Sequence, residues 1–312
     1  KNNKALINYN NFISNRKILN NYELSLSSKN IKINNSSIYI TGCVMNCERH
    51  LNNIYKIMKI IGELYNDYRI IFSYDNSKDN TLSKLEKFHK ENNKVIILKN
   101  TNKLSDVRTE NISNARNLIL QKIRKINNKN YEYFIMMDMD EVCNKRFNIN
   151  VLKKYIINNK EWDSLSFNRT GYYDIWALSY DPYMISCWHY YKNHNQNRDF
   201  INNVIRPHFE KKINSLGDSE LLDVHSAFGG FSIYKTKKFI NSYYHWNAKD
   251  ILELIPDDLS FKNVKQCDFI EPYILNNQLS KIFDCEHRFF HLYAKKKSKV
   301  KIKISPYPLF GD

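Results

Sequence analysis

The chain has 312 residues, with 48 Lys and Arg against 32 Asp and Glu, a formal net charge of +16, and 42% hydrophobic and 14% aromatic residues. That apolar content excludes a disordered or fibrous chain, and 7 Gly and 6 Pro exclude a linker-rich one. The charge points either to an anionic partner (a phosphorylated small molecule, an acidic surface or nucleic acid) or to a solvated Lys-rich surface; the cations are spread out apart from one dense run, Lys295 to Lys303, whereas nucleic-acid binders concentrate theirs.

In chain order, residues 1–36 are polar and Asn-rich and read as an N-terminal extension. Ser37–Val44 is the first strand. Cys47–Tyr65 follows as a helix, with Leu51, Ile54, Tyr55, Ile57, Met58, Ile61 and Leu64 near helical spacing. A strand from Arg69 ends in the turn YDNSKDNT (Tyr74 to Thr81), Thr81–Lys90 is a helix, and Lys94–Asn100 a third strand. Asn111–Lys125 is a helix, Tyr131–Asp140 a fourth strand, and Asn150–Asn158 a short helix. This alternation implies βαβ units in a mainly parallel sheet, Rossmann-like, and the continuous apolar strands imply helices on both faces. The second half is rich in Tyr, Trp and His. Trp162–Trp176, His225–Lys235 and Cys285–Lys295 read as antiparallel or mixed strands and loops added to the same sheet. With no linker or repeat in view, residues 37–312 read as one α/β domain with two functional halves, 37–145 and 146–312.

No apolar run approaches the roughly 18 residues that span a bilayer, and no signal peptide is visible. The first residue is Lys1, which leaves a preceding anchor or further domain open. Localisation stays open too, with the cytoplasm (that of a host, for a virus-encoded chain) favoured over secretion. Six cysteines are too few for a disulfide scaffold. Free buried thiols are the expectation; a metal on Cys43 and Cys47, or a Cys267–Cys285 bridge in an oxidising compartment, are the alternatives.

Three constellations carry chemistry. Phe134–Met137 run directly into Asp138, Asp140 and Glu141. Two carboxylates at the end of a buried strand repel each other and lose hydration, so they call for a cation; a hard divalent ion takes oxygen ligands and keeps positions free for substrate phosphate. Otherwise the triplet is a solvated turn. Asp75, in YDNSKDNT, is placed to accept a hydrogen bond from a base or ribose, or else belongs to a plain turn and helix cap. Arg108, Ile112 and Arg116 recur near one helical face, with Ala115 permitting close approach; the guanidinium groups suit a pyrophosphate, or pair with Glu110 or another acid.

The order of these pieces, YDNSKDNT, then NARN, then FIMMDMDE, resembles the sugar-nucleotide glycosyltransferases of the GT-A fold. The resemblance covers roughly residues 37 to 145 and thins out through YYDIWAL, FGGFSIYK and CEHRFFHLY; a weaker similarity is to fungal capsule-type mannosyltransferases. It implies a donor half (37–145), an acceptor half (146–312), a UDP- or GDP-sugar donor, a glycan or glycoprotein acceptor and a Mn²⁺ or Mg²⁺ cofactor, with no nucleic-acid partner. Asp75 would contact the base, Arg116 and Arg108 the phosphates or sugar, and Asp138 and Asp140 ribose and metal, with Asp140 the main ligand. A late His, His291 or His287, would complete the metal site, or be a hydrogen-bonded core histidine. An inverting enzyme needs a carboxylate base. Glu271 and Asp268 are the first candidates, ahead of Asp174 and Asp223. Tyr172, Tyr173, Trp176, Trp188 and Trp246 would stack on sugars or belong to the core, and Gly229 and Gly230 would let the backbone approach the acceptor. The rival readings are a metal-dependent nucleotidyltransferase, which would normally carry a Gly-rich or basic loop where TGCVMNCER stands, and a non-catalytic module binding glycan or nucleic acid.

Overall fold

The computed structural model describes residues 34–101, 105–126, 128–183, 187–188, 197–255 and 283–311. Four strands, β1 (Asn34–Val44), β2 (Tyr65–Tyr74), β3 (Val95–Lys99) and β4 (Tyr131–Met137), pair in parallel in the order β3-β2-β1-β4. Helices α1 (Glu48–Gly62), α2 (Thr81–Glu91) and α3 (Arg108–Ile126) make the crossovers. Beyond β4 the eight-stranded sheet continues through β8 (Phe231–Lys235), β6 (Ser164–Asn168), β9 (Ile302–Pro308) and β7 (Leu222–Asp223). β8 is antiparallel to both β4 and β6, while β9 runs parallel to β6. A separate two-stranded ribbon joins β5 (Arg146–Phe147) to β10 (Phe310–Gly311).

The continuous apolar strands are explained by two cores, one on each face. Ile38, Ile40, Ile70, Phe72, Ile135 and Met137 face the core shared with α1, α2 and α4 (Ile149–Ile157). The alternate residues Tyr39, Ile71, Phe134 and Met136 face the core shared with α3, α5 (Arg206–Asn214) and α6 (Glu286–Ser298). Successive strand side chains point to opposite faces, so each strand needs apolar residues at every position. α1 meets its core with Leu51, Ile54, Tyr55, Met58 and Ile61, a helical stripe.

The structure adjusts several element bounds. β1 takes in Asn34 to Ser36, which the sequence assigned to the extension. The first helix ends at Gly62, not Tyr65: a Cβ there would lie 2.5 Å from the Tyr68 ring, and Tyr65 instead pairs with Asn34 as the start of β2. α3 begins at Arg108, ahead of the expected Asn111. The reading of Cys285–Lys295 as strand or loop is corrected, because Glu286–Ser298 is an α-helix with every residue from Glu286 through Leu292 buried. Its aromatic and histidine content hid the helical period. Among the described residues no helix is long and apolar enough to cross a membrane.

Candidate active site

The carboxyl ends of β2 and β4, on either side of β1, deliver the acids to one edge of the sheet, the edge at which open α/β folds bind ligands. Asp75 follows the last residue of β2. Its N–H donates to the Val44 carbonyl at 3.0 Å, tying it to the end of β1, and its Oδ1 accepts from Asn100 Nδ2 at 2.6 Å. Burial raises its carboxyl above the ordinary range, against the stabilising Asn100 bond. The turn beyond it is anchored to the start of α1: Asp79 accepts from the Glu48 and Thr81 N–H groups, and the Cys47 N–H donates to Thr81 Oγ1 at 2.9 Å.

Asp138 sits one residue past β4. Its N–H donates to the Gly230 carbonyl at 2.8 Å, continuing the β4–β8 ladder, so the backbone is held while the side chain leaves the sheet. Arg116 Nη2 lies 3.3 Å from Oδ1, and the Tyr173 hydroxyl donates to Oδ2 at 3.3 Å. Loss of hydration lifts this carboxyl to about 7; Arg116 opposes the shift and the charges of Asp140 and Asp174 add to it. Asp140 ends the strand chemically. Its Oδ1 accepts the Val142 N–H at 2.9 Å and its carbonyl accepts the Asn144 N–H at 3.1 Å, which turns the chain.

Arg116 comes from the buried side of α3, 6% exposed. Its Nη1 donates to Glu286 on the first turn of α6, and its guanidinium carbon stands 4.9 Å from the Phe228 ring centroid and 5.6 Å from that of Tyr244. Opposite lies the Gly229–Gly230 turn, with φ of +64° and +81°. A Cβ on Gly230 would fall 2.3 Å from Val142 Cγ1 and 3.0 Å from the Tyr173 hydroxyl, so only glycine satisfies both the conformation and the space. Asp174 Oδ2 accepts the Gly229 N–H at 3.0 Å and its Oδ1 the Ala177 N–H at 3.3 Å; burial raises its carboxyl against those two bonds. Beside the acids a cavity of about 280 Å³ is walled by Glu141, Val142, Arg169, Thr170 and Tyr173. Arg169 donates to the Val142 carbonyl and lies over the Tyr173 ring at 5.5 Å.

The arrangement is a set of acids with one guanidinium, Arg116, paired to Asp138 and a second, Arg169, in the wall of the adjoining cavity. The model for "Glycosyl transferase family 2" matches residues 43–239, more than half of the chain. The chain belongs to glycosyl transferase family 2. Among solved structures this family 2 chain is similar to S. aureus TarS 1–349, at 14% identity over 74% of this chain and 55% of that one, with a TM-score of 0.36. It is also similar to glucosyl-3-phosphoglycerate synthase from Mycobacterium tuberculosis in complex with Mn²⁺, UDP and glucosyl-3-phosphoglycerate, at 10% identity over 65% and 58% of the two chains, with a TM-score of 0.35. The chain thus spans little more than half the length of these two structures. A comparison with curated proteins finds no match.

Within the family 2 chain, the structure brings together Arg116, Asp138, Asp174, Gly229 and Gly230. Asp75 is close by: burial pushes the Cys43 thiol up to about 12, with the charges of Asp75 and Asp138 adding and Arg116 opposing. Arg108 is exposed at the start of α3, and its charge reaches Asp174. Tyr173 is the aromatic that touches an acid, whereas Tyr172 is buried against Phe209 at 4.4 Å and Trp176 lies 6.1 Å from Trp188. Trp246 lies 5.6 Å from Phe283.

His291 is buried with both ring nitrogens engaged, Nδ1 with Ser226 Oγ at 2.9 Å and Nε2 with the Tyr234 hydroxyl at 3.2 Å. His287 is buried 3.7 Å over the Phe228 ring, with neither ring nitrogen hydrogen-bonded. Among the described residues no three His, Cys, Asp or Glu side chains are grouped to hold a metal ion by themselves. Asp223 is exposed at the opposite edge of the sheet and paired with Lys303 at 2.6 Å. Asp268 and Glu271 lie outside the described residues, as does Cys267, while Cys43, Cys47, Cys143, Cys187 and Cys285 are free.

Sequence reasoning missed Glu286, Phe228, Tyr244, Asn100 and Arg169. A signal existed for the first of these: Asp284 and Arg288 flank Glu286 at i, i+4 and form a buried ion pair, a helical spacing.

Proposed function

We propose that the protein is a metal-dependent glycosyltransferase that moves a sugar from a nucleoside-diphosphate sugar, UDP- or GDP-linked, to a glycan or glycoprotein acceptor. The observation that carries this reading is Asp138: a half-buried carboxyl lifted to about 7, locked to the Gly230 backbone at the carboxyl edge of the sheet and offset by one guanidinium. A carboxyl in that state is stabilised in its charged form by a further cation.

Asp138 and Asp140 offer hard oxygen donors, which suit Mn²⁺ or Mg²⁺ drawing its other ligands from a diphosphate. They fit such an ion better than a site made wholly of protein ligands, given the absence of a three-residue cluster among the described residues. His291 would have to give up Ser226 or Tyr234 to join them. Such an ion supplies charge stabilisation to the departing diphosphate. The chain's own residues then divide the remaining tasks. Asp75, at the end of β2, accepts from the base. Asp138 holds the ribose, and Arg116 with Arg108 faces the phosphates. Gly229, Gly230 and Trp176 bound the acceptor side, where the small cavity walled by Arg169 and Tyr173 opens. Asp174, raised by burial and oriented by two backbone N–H groups, is the base candidate that adjoins Asp138; Asp268 and Glu271 remain candidates from the sequence alone. In this reading residues 37–145 form the donor half and 146–312 the acceptor half of one domain, joined through Arg116 and Glu286.

The test is donor hydrolysis with a panel of UDP- and GDP-sugars in Mn²⁺, Mg²⁺ or EDTA. One donor should turn over only with metal, and Asp140→Ala should abolish the turnover. Absence of turnover together with absence of any metal-dependent thermal shift by a nucleotide overturns the reading.

A further inference from the structure

A second cavity lies at the other end of the sheet from the acids. It has a volume of about 850 Å³. Tyr131, the first residue of β4, Lys235, the last of β8, and Tyr39 of β1 line it, and the seven residues of β4 separate it from Asp138 by roughly 20 Å. One wall is α3, where Arg124 donates to the Ile240 and Ser242 carbonyls at 2.6 and 2.5 Å and so fixes the segment that follows β8.

Three properties of this cavity point to a ligand. Its lining carries five cations, Arg124, Lys129, Lys235, Lys237 and Lys238, against one acid, Glu132. Lys235 has a partner in Asp163 at 3.3 Å, but among the described residues no acid pairs with Lys129, Lys237 or Lys238. Two residues of the lining, Tyr39 and Thr236, carry hydroxyls that are buried without a hydrogen-bond partner. Tyr39 is 1% exposed and stacked on Tyr131 at 4.2 Å, so its ring is fixed. A buried hydroxyl left unpaired is costly, and a ligand oxygen would satisfy it.

We propose that this cavity is a second ligand site, separate from the acidic cleft, that takes a phosphate-bearing molecule. Lysine ammonium groups bind phosphate as point charges and the two hydroxyls donate to its remaining oxygens. The volume admits a ligand of nucleotide size. The chain's own residues 1–33 are the wrong occupant by charge, since they hold Lys1, Lys4, Arg16, Lys17, Lys29 and Lys32 against the single acid Glu23.

The experiment is equilibrium binding of inorganic pyrophosphate to the full chain in EDTA, which suppresses any metal-assisted binding at the acids. Lys237→Glu/Lys238→Glu should weaken binding by about tenfold. Tyr39→Phe, which removes an oxygen without a partner and leaves the stacked ring, should weaken it by about threefold to tenfold, and Asp140→Ala should leave it unchanged. A parallel arm measures cosedimentation with phosphatidylcholine vesicles containing phosphatidic acid. Vesicle binding that falls in both cavity variants identifies the phosphate as a lipid headgroup, and pyrophosphate binding without vesicle binding identifies a free ligand. The proposal is overturned if neither probe binds at millimolar concentration, or if Tyr39→Phe leaves the binding of both unchanged, which would reduce the cavity to a diffuse basic surface.

Discussion

Arg116 on α3 and Glu286 on the first turn of α6, 170 residues apart in sequence, form a buried ion pair directly behind Asp138. The guanidinium spans the two acids and keeps Asp138 compensated before any substrate arrives. Removing one partner strands a buried charge, which costs far more than the pair itself contributes. Glu286→Ala should therefore lower unfolding free energy by about 3–5 kcal/mol. The double variant Arg116→Met/Glu286→Leu should recover much of that loss while binding donor poorly. Urea denaturation of the single and double variants checks the coupling.

Gly230 is constrained twice, by φ of +81° and by the 2.3 Å approach of Val142 to any Cβ. Gly230→Ala should destabilise by about 1–3 kcal/mol and push Tyr173 off Asp138. Donor turnover should fall more than stability at 25 °C accounts for. Gly217→Ala, at an exposed turn without positive φ, is the control.

The pH dependence has opposite signs at half-buried Asp138 and buried His291. Asp138 is raised from about 4 in the unfolded chain to about 7 in the fold. The folded state therefore holds the proton more tightly, and the stability this contributes is present below pH 4 and lost as pH rises through 7. Asp138→Asn should remove that fall, so the variant gains on the wild type between pH 5 and 8 in metal-free buffer. His291 is lowered by burial, with Arg116 and Lys295 adding, from about 6.5 when unfolded to about 3. Its contribution is present above 6.5 and lost as pH falls towards 3. His291→Gln should flatten the acid limb of a stability–pH curve, read as a slope because the substitution also alters packing.

Asp75 is held by Asn100 at 2.6 Å and by its own N–H on Val44. Asp75→Ala should raise the donor KM by about tenfold, the worth of one hydrogen bond to a buried carboxylate, with little change in kcat. Asn100→Ala should do the same more weakly, by freeing the carboxylate to rotate. Steady-state kinetics on the turned-over donor separates the two constants.

Asp140→Asn should lower turnover by roughly 10²–10³-fold, as expected when one fixed charge facing the reacting centre is removed. Its fold should stay intact, because Asn retains the oxygen that accepts the Val142 N–H. Equal circular dichroism with lost metal-dependent turnover is the expected pair of results.

The sequence alone determined the parallel half. Apolar runs such as Ile38 to Ile40 and Phe134 to Met137, spaced by helical stripes, are local patterns, and local patterns are what periodicity reports. The positions of Asp75 and Asp138 at strand ends were legible in the same way, although a plain turn remained an alternative reading for each. Only the tertiary structure decided what compensates those acids. Glu286 lies in a segment whose aromatics read as strand, and its pairing with Arg116 across 170 residues has no local signature. The Gly229–Gly230 turn acquired its meaning in the same way, once β8 was found antiparallel to β4 and its backbone rose to meet Asp138. The physical reason is that charge compensation in a low-dielectric interior depends on distance in space, whereas secondary structure depends mainly on distance along the chain.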